Sequence, residues 1–126
     1  MEQRYLIDTN VIIDEFGDKL PPKASSFLND LNITISAVTQ IELLGWHGAS
    51  ELQLKPLRAF MELALILPIN EAVIHETIAI RQTKKIALGD AIIAATALVY
   101  GLVIVTRNIS DFKQIPNLIV VDPWAM

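Results

Sequence analysis

No cysteine occurs among the 126 residues. Its absence excludes a disulfide scaffold and a zinc–thiolate centre, and it suits a reducing cytoplasm. Basic charge is scarce as well: 10 Lys and Arg face 14 Asp and Glu, for a net charge of −4. A protein that holds nucleic acid by bulk electrostatics is therefore not expected. A nuclease with local cations, or with a metal that supplies the positive charge, remains compatible. Two Tyr and two Trp are too few and too scattered to form a stacking platform for single strands. The longest uncharged stretch, Ala91–Thr106, is shorter than the ~20 residues of a spanning helix and is split by Gly101. It reads as a buried helix followed by a buried strand, so no membrane segment is expected. Met1-Glu2-Gln3-Arg4 runs straight into a strand pattern without a cleavage site, so no signal peptide is expected either. Repeats, low-complexity tracts and linkers are lacking too.

What is present is apolar. Hydrophobic residues make up 52% and charged residues 19%, which suits one tightly packed domain over 1–126. Leftover apolar surface would serve a dimer or partner interface. The pattern predicts strands at Arg4–Ile7, Ile33–Ile35, Leu65–Ile69, Leu102–Val105 and Leu118–Val121. Between them it predicts helices at Val11–Phe16, from Pro21-Pro22 through Leu31, from the Ser36 cap to about Trp46, and over Glu71–Lys84 after the Asn70 cap. Ser50 with Gln53 forms a capping box for a helix to about Ala64, with Pro56 as an alternative first turn. Leu88–Tyr100 is a further helix, which Gly101 ends as a left-handed cap. Arg107–Asn117 reads as a polar loop, and Pro123 stops the last strand. Apolar strands separated by helices indicate an α/β sandwich with a parallel sheet covered on both faces.

Three carboxylates stand where packing alone would favour hydrophobic residues: Asp8, Glu42 and Asp90. Asp8 ends the first strand, where ligands bind in open parallel sheets. It would serve equally as a helix cap, and Thr9 and Asn10 are also cap and turn residues. Glu42 shares a helical stripe with Val38, Ile41 and Gly45, which argues against a solvated face; a surface glutamate is the alternative. Asp90 opens an apolar helix with Ile93, Ala94 and Ala97 on its own face, although a first-turn acid also complements the helix dipole. The loop Thr106-Arg107-Asn108-Ile109-Ser110-Asp111-Phe112 follows the fourth strand and joins the same end of the sheet. There Asn108 and Asp111 offer further oxygens and Arg107 a phosphate contact, or the segment is a plain Asn/Ser/Asp turn. Arg81, Lys84 and Lys85 are candidate groove cations. Asp14, Glu15 and Asp18 read as a solvated acidic turn, and His47 and His75 as isolated surface or core residues.

An oxygen-rich site without His or Cys suits magnesium, with manganese as a substitute. Such an ion lowers the pKa of a bound water, orients a phosphate and neutralises charge on its oxygens, as phosphodiester hydrolysis requires. Glu42 would position that water or accept its proton.

These residues resemble a known family. Leu6–Ile13 (LIDTNVII), Ser36–Leu44 (SAVTQIELL), Leu88–Ala97 (LGDAIIAATA) and Thr106–Phe112 (TRNISDF) resemble PIN-domain ribonucleases, above all the VapC-type toxins of toxin–antitoxin pairs. Four such runs in order, with a Val-Asp-Pro tail at 121–123, span nearly the whole chain. The resemblance implies a PIN-like three-layer sandwich with a five-stranded parallel sheet in order 3-2-1-4-5. It implies magnesium-dependent cleavage of RNA in the cytoplasm, a homodimer, and an antitoxin partner crossing the active-site groove. It also maps the family's acids onto Asp8, Glu42 and Asp90, with Asp8 and Asp90 as core metal ligands. Thr9 would orient Asp8, with Asn10 and Thr106 in supporting roles. Where the family often carries a fourth acid, this chain has Asn108, with Asp111 three residues later; one tightly held ion is expected.

Two other readings compete. A receiver-type phosphotransfer domain would need an Asp ending the third strand and a lysine after the last, but the chain has Pro68-Ile69-Asn70 and Asp122-Pro123 there. A catalytically silent PIN-like protein-binding module would use the same acids as caps and partner contacts.

Overall fold

Alternation along two very short strands sets the architecture. In the computed structural model, which describes residues 4–126, β1 (Tyr5–Ile7) pairs in parallel with β4 (Val103–Val105). The leader-free reading of Met1–Gln3 lies outside the described residues. Leu6 sits opposite Ile104, and Ile7 opposite Val105. Successive side chains of a strand point to opposite faces, so these two pairs seed two separate cores. Leu6 and Ile104 join Val73, Ile80, Ile93 and Phe112 on one face. Ile7 and Val105 join Val11, Leu28, Leu43 and Met61 on the other. Each fully buried side chain of this size contributes about 1.5–3 kcal/mol, and both faces are fully occupied.

The remaining elements follow in chain order. After β1 come α1 (Thr9–Phe16), α2 (Pro22–Asn29), β2 (Thr34–Ser36), α3 (Ala37–Leu44), α4 (Glu51–Leu63) and β3 (Leu65–Leu67). Then come α5 (Glu71–Thr83), α6 (Leu88–Tyr100), β4, α7 (Ile109–Phe112), β5 (Val120–Val121) and a closing 3-10 turn, Pro123–Ala125. The α/β class with parallel pairing stands. Hydrogen bonds do not join the expected five strands into one ladder: the described strands form two parallel ladders, β1-β4-β5 and β2-β3. β1 lies against β2 without a ladder between them. With two or three residues per strand, a slight divergence removes every bond of a ladder.

Local signals set most boundaries. Ser36 accepts from the Val38 N–H, Asn70 accepts from the Val73 N–H, and Ser50 and Gln53 complete their reciprocal box. That box starts α4 at Glu51 and leaves Pro56 inside the helix. The carbonyl that loses its partner there belongs to Leu52, which is 84% exposed and can turn to water. Gly101 ends α6 at φ 69°, a backbone conformation that favours glycine. The segment 107–117 departs most from expectation. It is not simply a polar loop, because α7 forms there and buries Phe112 and Ile115 in the core. Two apolar anchors three residues apart bind that segment down among its polar neighbours.

Candidate active site

The site forms where β1 and β4 end. The Asp8 backbone N–H donates to the Val105 carbonyl at 2.9 Å, continuing the ladder by one bond. Its carboxylate then turns back to cap α1, accepting from the Thr9 N–H at 2.7 Å. Asp8 is only 3% exposed. The Thr106 hydroxyl donates to its Oδ2 at 2.7 Å and the Asn10 amide to the same atom at 3.1 Å. Burial is the largest influence and raises the Asp8 pKa; the Thr106 and Thr9 hydrogen bonds oppose the rise and the Glu42 charge adds to it. Asp8 therefore does cap α1, and the same carboxylate lies at the strand-end cleft.

Glu42 arrives from α3, although not along the expected route. α3 buries Thr39 and Leu43, while Ile41 is 63% exposed and Glu42 is itself exposed. The Val38–Ile41–Gly45 stripe is thus not the core face. Glu42 faces solvent at the cleft, where Oε1 accepts from the Thr9 hydroxyl at 2.7 Å. That hydroxyl has one proton, so the Thr39 hydroxyl, 2.9 Å away, donates its own to Thr9. Thr9 therefore touches Asp8 through its main chain and spends its side chain on Glu42. Sequence reasoning missed Thr39, which looked like one more helix residue. Gly89 was not singled out either: a Cβ there would meet Glu42 Oε2 at 3.4 Å, an ordinary contact, which puts the first turn of α6 directly beside this acid.

Asp90, in that first turn, is half-buried. Its pKa is pushed up to about 6, first by burial and then by Asp8, Asp111 and Glu42. The four predicted acids thus act on one another. Asn108 links two of them: its amide donates to Asp111 Oδ2 at 3.0 Å and reaches Asp90 Oδ2 at 3.5 Å. Its own backbone N–H donates to the Thr106 hydroxyl at 2.9 Å. Among the described residues no Lys or Arg pairs with any of these four acids. Nor do three His, Cys, Asp or Glu side chains there approach closely enough to form a ready metal cage. The arrangement is an all-oxygen cleft with uncompensated negative charge.

The PIN domain family matches residues 5–118 of this chain. A ribonuclease VapC from Rickettsia bellii is 31% identical over 122 residues, covering 90% of this chain and 91% of its own. This chain is a PIN-domain protein of the VapC family. Solved structures agree. A toxin–antitoxin complex from Klebsiella pneumoniae contains a chain 34% identical to it with a TM-score of 0.77, over 94% of this chain and 97% of that one. DNA-bound VapBC from Salmonella typhimurium contains a chain 26% identical with a TM-score of 0.85, over 97% and 99%.

In this VapC-family chain the acids at the end of α1 and just beyond it are not uniformly solvated. Asp14 is 3% exposed; its Oδ2 takes the Arg107 Nε at 2.9 Å and the Trp124 indole N–H at 3.2 Å. Glu15 is half-buried and accepts from the Ser25 hydroxyl at 2.8 Å; only Asp18 is fully exposed. No local pattern points to Asp14's partners, which lie about a hundred positions away. Arg81, Lys84 and Lys85 are not drawn into the acid cleft. They line an open groove with Leu88, which precedes Asp90 by two residues. Both histidines are exposed, and His75 pairs with Glu71 on its own helix.

Proposed function

We propose that this VapC-family chain is a magnesium-dependent endoribonuclease, with manganese as a substitute, and the toxin of a toxin–antitoxin pair. The observation that carries the reading is the uncompensated acid cluster of Asp8, Glu42, Asp90 and Asp111, mutually repelling and without a cationic side chain. Its donors fit a hard divalent cation: every one is oxygen, and the negative charge calls for a positive partner. Asp8 and Asp90 would hold the ion, in keeping with magnesium's habit of taking one or two carboxylates and completing its shell with water. When bound, it supplies an acidified water and neutralises charge on the phosphate.

The chain's own groups do the remaining work. Thr106 and Asn10 fix the orientation of Asp8, and Thr9 with Thr39 fixes that of Glu42. With Oε1 engaged by Thr9, the exposed Glu42 keeps Oε2 free to accept a proton from attacking water. Asn108 and Asp111 complete the acid wall and help hold Asp90. Arg81, Lys84, Lys85 and Arg107 would take backbone phosphates on either side.

The partners follow the same reading. An apolar groove of about 580 Å³, lined by Ile13, Phe16, Trp46 and Leu57, ends at Glu42, and this supports an antitoxin segment lying across the site. Exposed Ile74, Ile78 and Leu88 support a homodimer, and the reading places the protein in the cytoplasm. Among the described residues no helix is long and apolar enough to cross a membrane. Strand order 3-2-1-4-5 belongs to this reading too, supported by the side-by-side position of β1 and β2.

The experiment is cleavage of single-stranded RNA by the purified chain, with magnesium and with chelator, alongside Asp90→Asn. Metal-dependent cleavage by the parent alone supports the proposal; equal cleavage by both proteins, or none by either, defeats it. A silent binding module is the second reading, favoured by the fact that among the described residues no three His, Cys, Asp or Glu side chains stand close enough to form a ready cage. Calorimetric titration with magnesium separates the two: heat in the parent that vanishes in Asp8→Ala supports the enzyme, whereas no heat in the parent supports the binding module.

A further inference from the structure

Asp14 is as buried as Asp8, at 3% exposure, and the cleavage chemistry leaves it unused. Its Oδ2 gathers two distant parts of the chain: Arg107 Nε at 2.9 Å and Trp124 Nε1 at 3.2 Å. Asp14 lies one helical turn after Asn10, on the same face of α1. Asn10 Oδ1 accepts the Arg107 backbone N–H at 3.3 Å, while the Asn10 amide donates to Asp8 Oδ2 at 3.1 Å. Arg107 is thus held at both ends, its main chain by Asn10 and its side chain by Asp14. It directly follows Thr106, whose hydroxyl holds Asp8.

The mode of contact decides what the guanidinium can still do. It has five N–H donors in a rigid planar fork. Asp14 engages Nε, and the Arg107 side chain remains 50% exposed. Among the described residues no hydrogen bond engages Nη1 or Nη2. That leaves a coplanar pair of donors, the geometry that meets two oxygens of one phosphate. An acid cleft repels a polyanion, so a cation wired into the same hydrogen-bond network is where the backbone can be gripped.

We propose that Asp14 and Trp124 are positioning residues that lock Arg107 as a clamp for an RNA backbone phosphate beside the bond to be cleaved. This rests on the nuclease reading. Trp124 acts by holding Asp14 in place from the closing 3-10 turn, where Pro123 is buried. Lysine cannot replace Arg107, because one ammonium cannot bind Asp14 along one edge and present two parallel donors along another.

The test is steady-state cleavage of a short single-stranded RNA by the full chain with magnesium, separating KM from kcat, with a thermal melt of every protein. Arg107→Ala is expected to raise KM about tenfold with kcat within about twofold, and Arg107→Lys to resemble it. Asp14→Asn is expected to raise KM about fourfold, and Trp124→Phe about twofold. The double variant Asp14→Asn with Arg107→Ala should match Arg107→Ala alone, since Asp14 acts only through Arg107. An Asp14→Asn protein that melts lower but keeps the parental KM, or a double variant whose KM rise is the product of the single ones, overturns the clamp. If Asp14→Asn does not fold, Trp124→Phe decides: a raised KM supports the proposal and an unchanged one overturns it. A parent that leaves RNA intact ends the nuclease reading and the clamp together. A parent that cuts RNA while the variants keep its KM ends the clamp alone.

Discussion

Asp8 and Asp14 lie six residues apart and are equally buried, yet their charges are handled in opposite ways. Asp14 meets a guanidinium and an indole N–H, so its charge is balanced within the fold. Asp8 meets only neutral donors, and Glu42 and Asp90 stand close enough to repel it. Burying an ion without a counter-charge is unfavourable, so the cleft carries a cost that Asp14 does not. An acid whose charge the fold itself balances looks like Asp14. The cleft acids are left without a cationic side chain among the described residues, and that distinction, rather than burial, separates the two.

The largest expected effect breaks the cleft side of the pair. Asp8→Asn or Asp90→Asn should lower magnesium-dependent cleavage on the order of 10³-fold or more. Asp90→Asn should melt at or above the parent at neutral pH, because a repelled charge is gone. A loss of activity that merely tracks unfolding would contradict this. The next effect falls on the support of Asp8. Thr106→Val keeps the shape but removes the hydroxyl that serves Asp8 and the Asn108 N–H, at a cost of about 1–3 kcal/mol. Denaturant melts should register that loss, and cleavage should fall about 10- to 100-fold.

A smaller effect sharpens the comparison through pH. Asp90 ionises near 6 in the folded protein against an ordinary 3.8, so the folded state holds this proton more tightly than the unfolded chain. The stability it contributes is fully present below about pH 4 and is lost as pH rises through about 6. The difference in melting temperature between metal-free parent and Asp90→Asn should therefore widen from about pH 4 to about pH 6 and level off above about pH 7. Magnesium should cancel the difference, because it favours the ionised form; a difference that is flat with pH would argue that Asp90 is not repelled. The smallest effect concerns Gly89. Its Cβ position lies at ordinary contact distance from Glu42, and alanine favours a helix over glycine by roughly 0.5–1 kcal/mol. Gly89→Ala should raise the melting temperature slightly and leave cleavage within about twofold. A large loss of activity would mean that Glu42 needs more room than the structure gives it.

The legible part of the site shows what kind of signal a sequence carries. Asp8 and Asp90 were visible because each interrupts an apolar pattern at the end of a strand or the start of a helix. Glu42 was identified from a stripe argument that failed, since α3 turns Thr39 and Leu43 inward and leaves Ile41 in solvent. Its place came instead from the resemblance of a whole segment. α7 was hidden because a four-residue helix has too few positions to show a period, and its anchor Phe112 looked like one apolar residue in a polar loop. Asp14 was misjudged because three nearby acids look solvated when the only visible neighbours are each other.

Local chemistry determined the helix starts, the left-handed stop at Gly101, the alternation of helix with strand, and which acids sit at the carboxyl ends of strands. These depend on residues within a turn of one another, and the chain carries that information in order. The tertiary structure alone decided that the strands form two ladders, that the Thr9 hydroxyl serves Glu42 while its N–H serves Asp8, and that Arg107 and Trp124 close on Asp14. Those outcomes depend on distances between segments 16 to 110 positions apart. Packing sets such distances, and no local pattern encodes them.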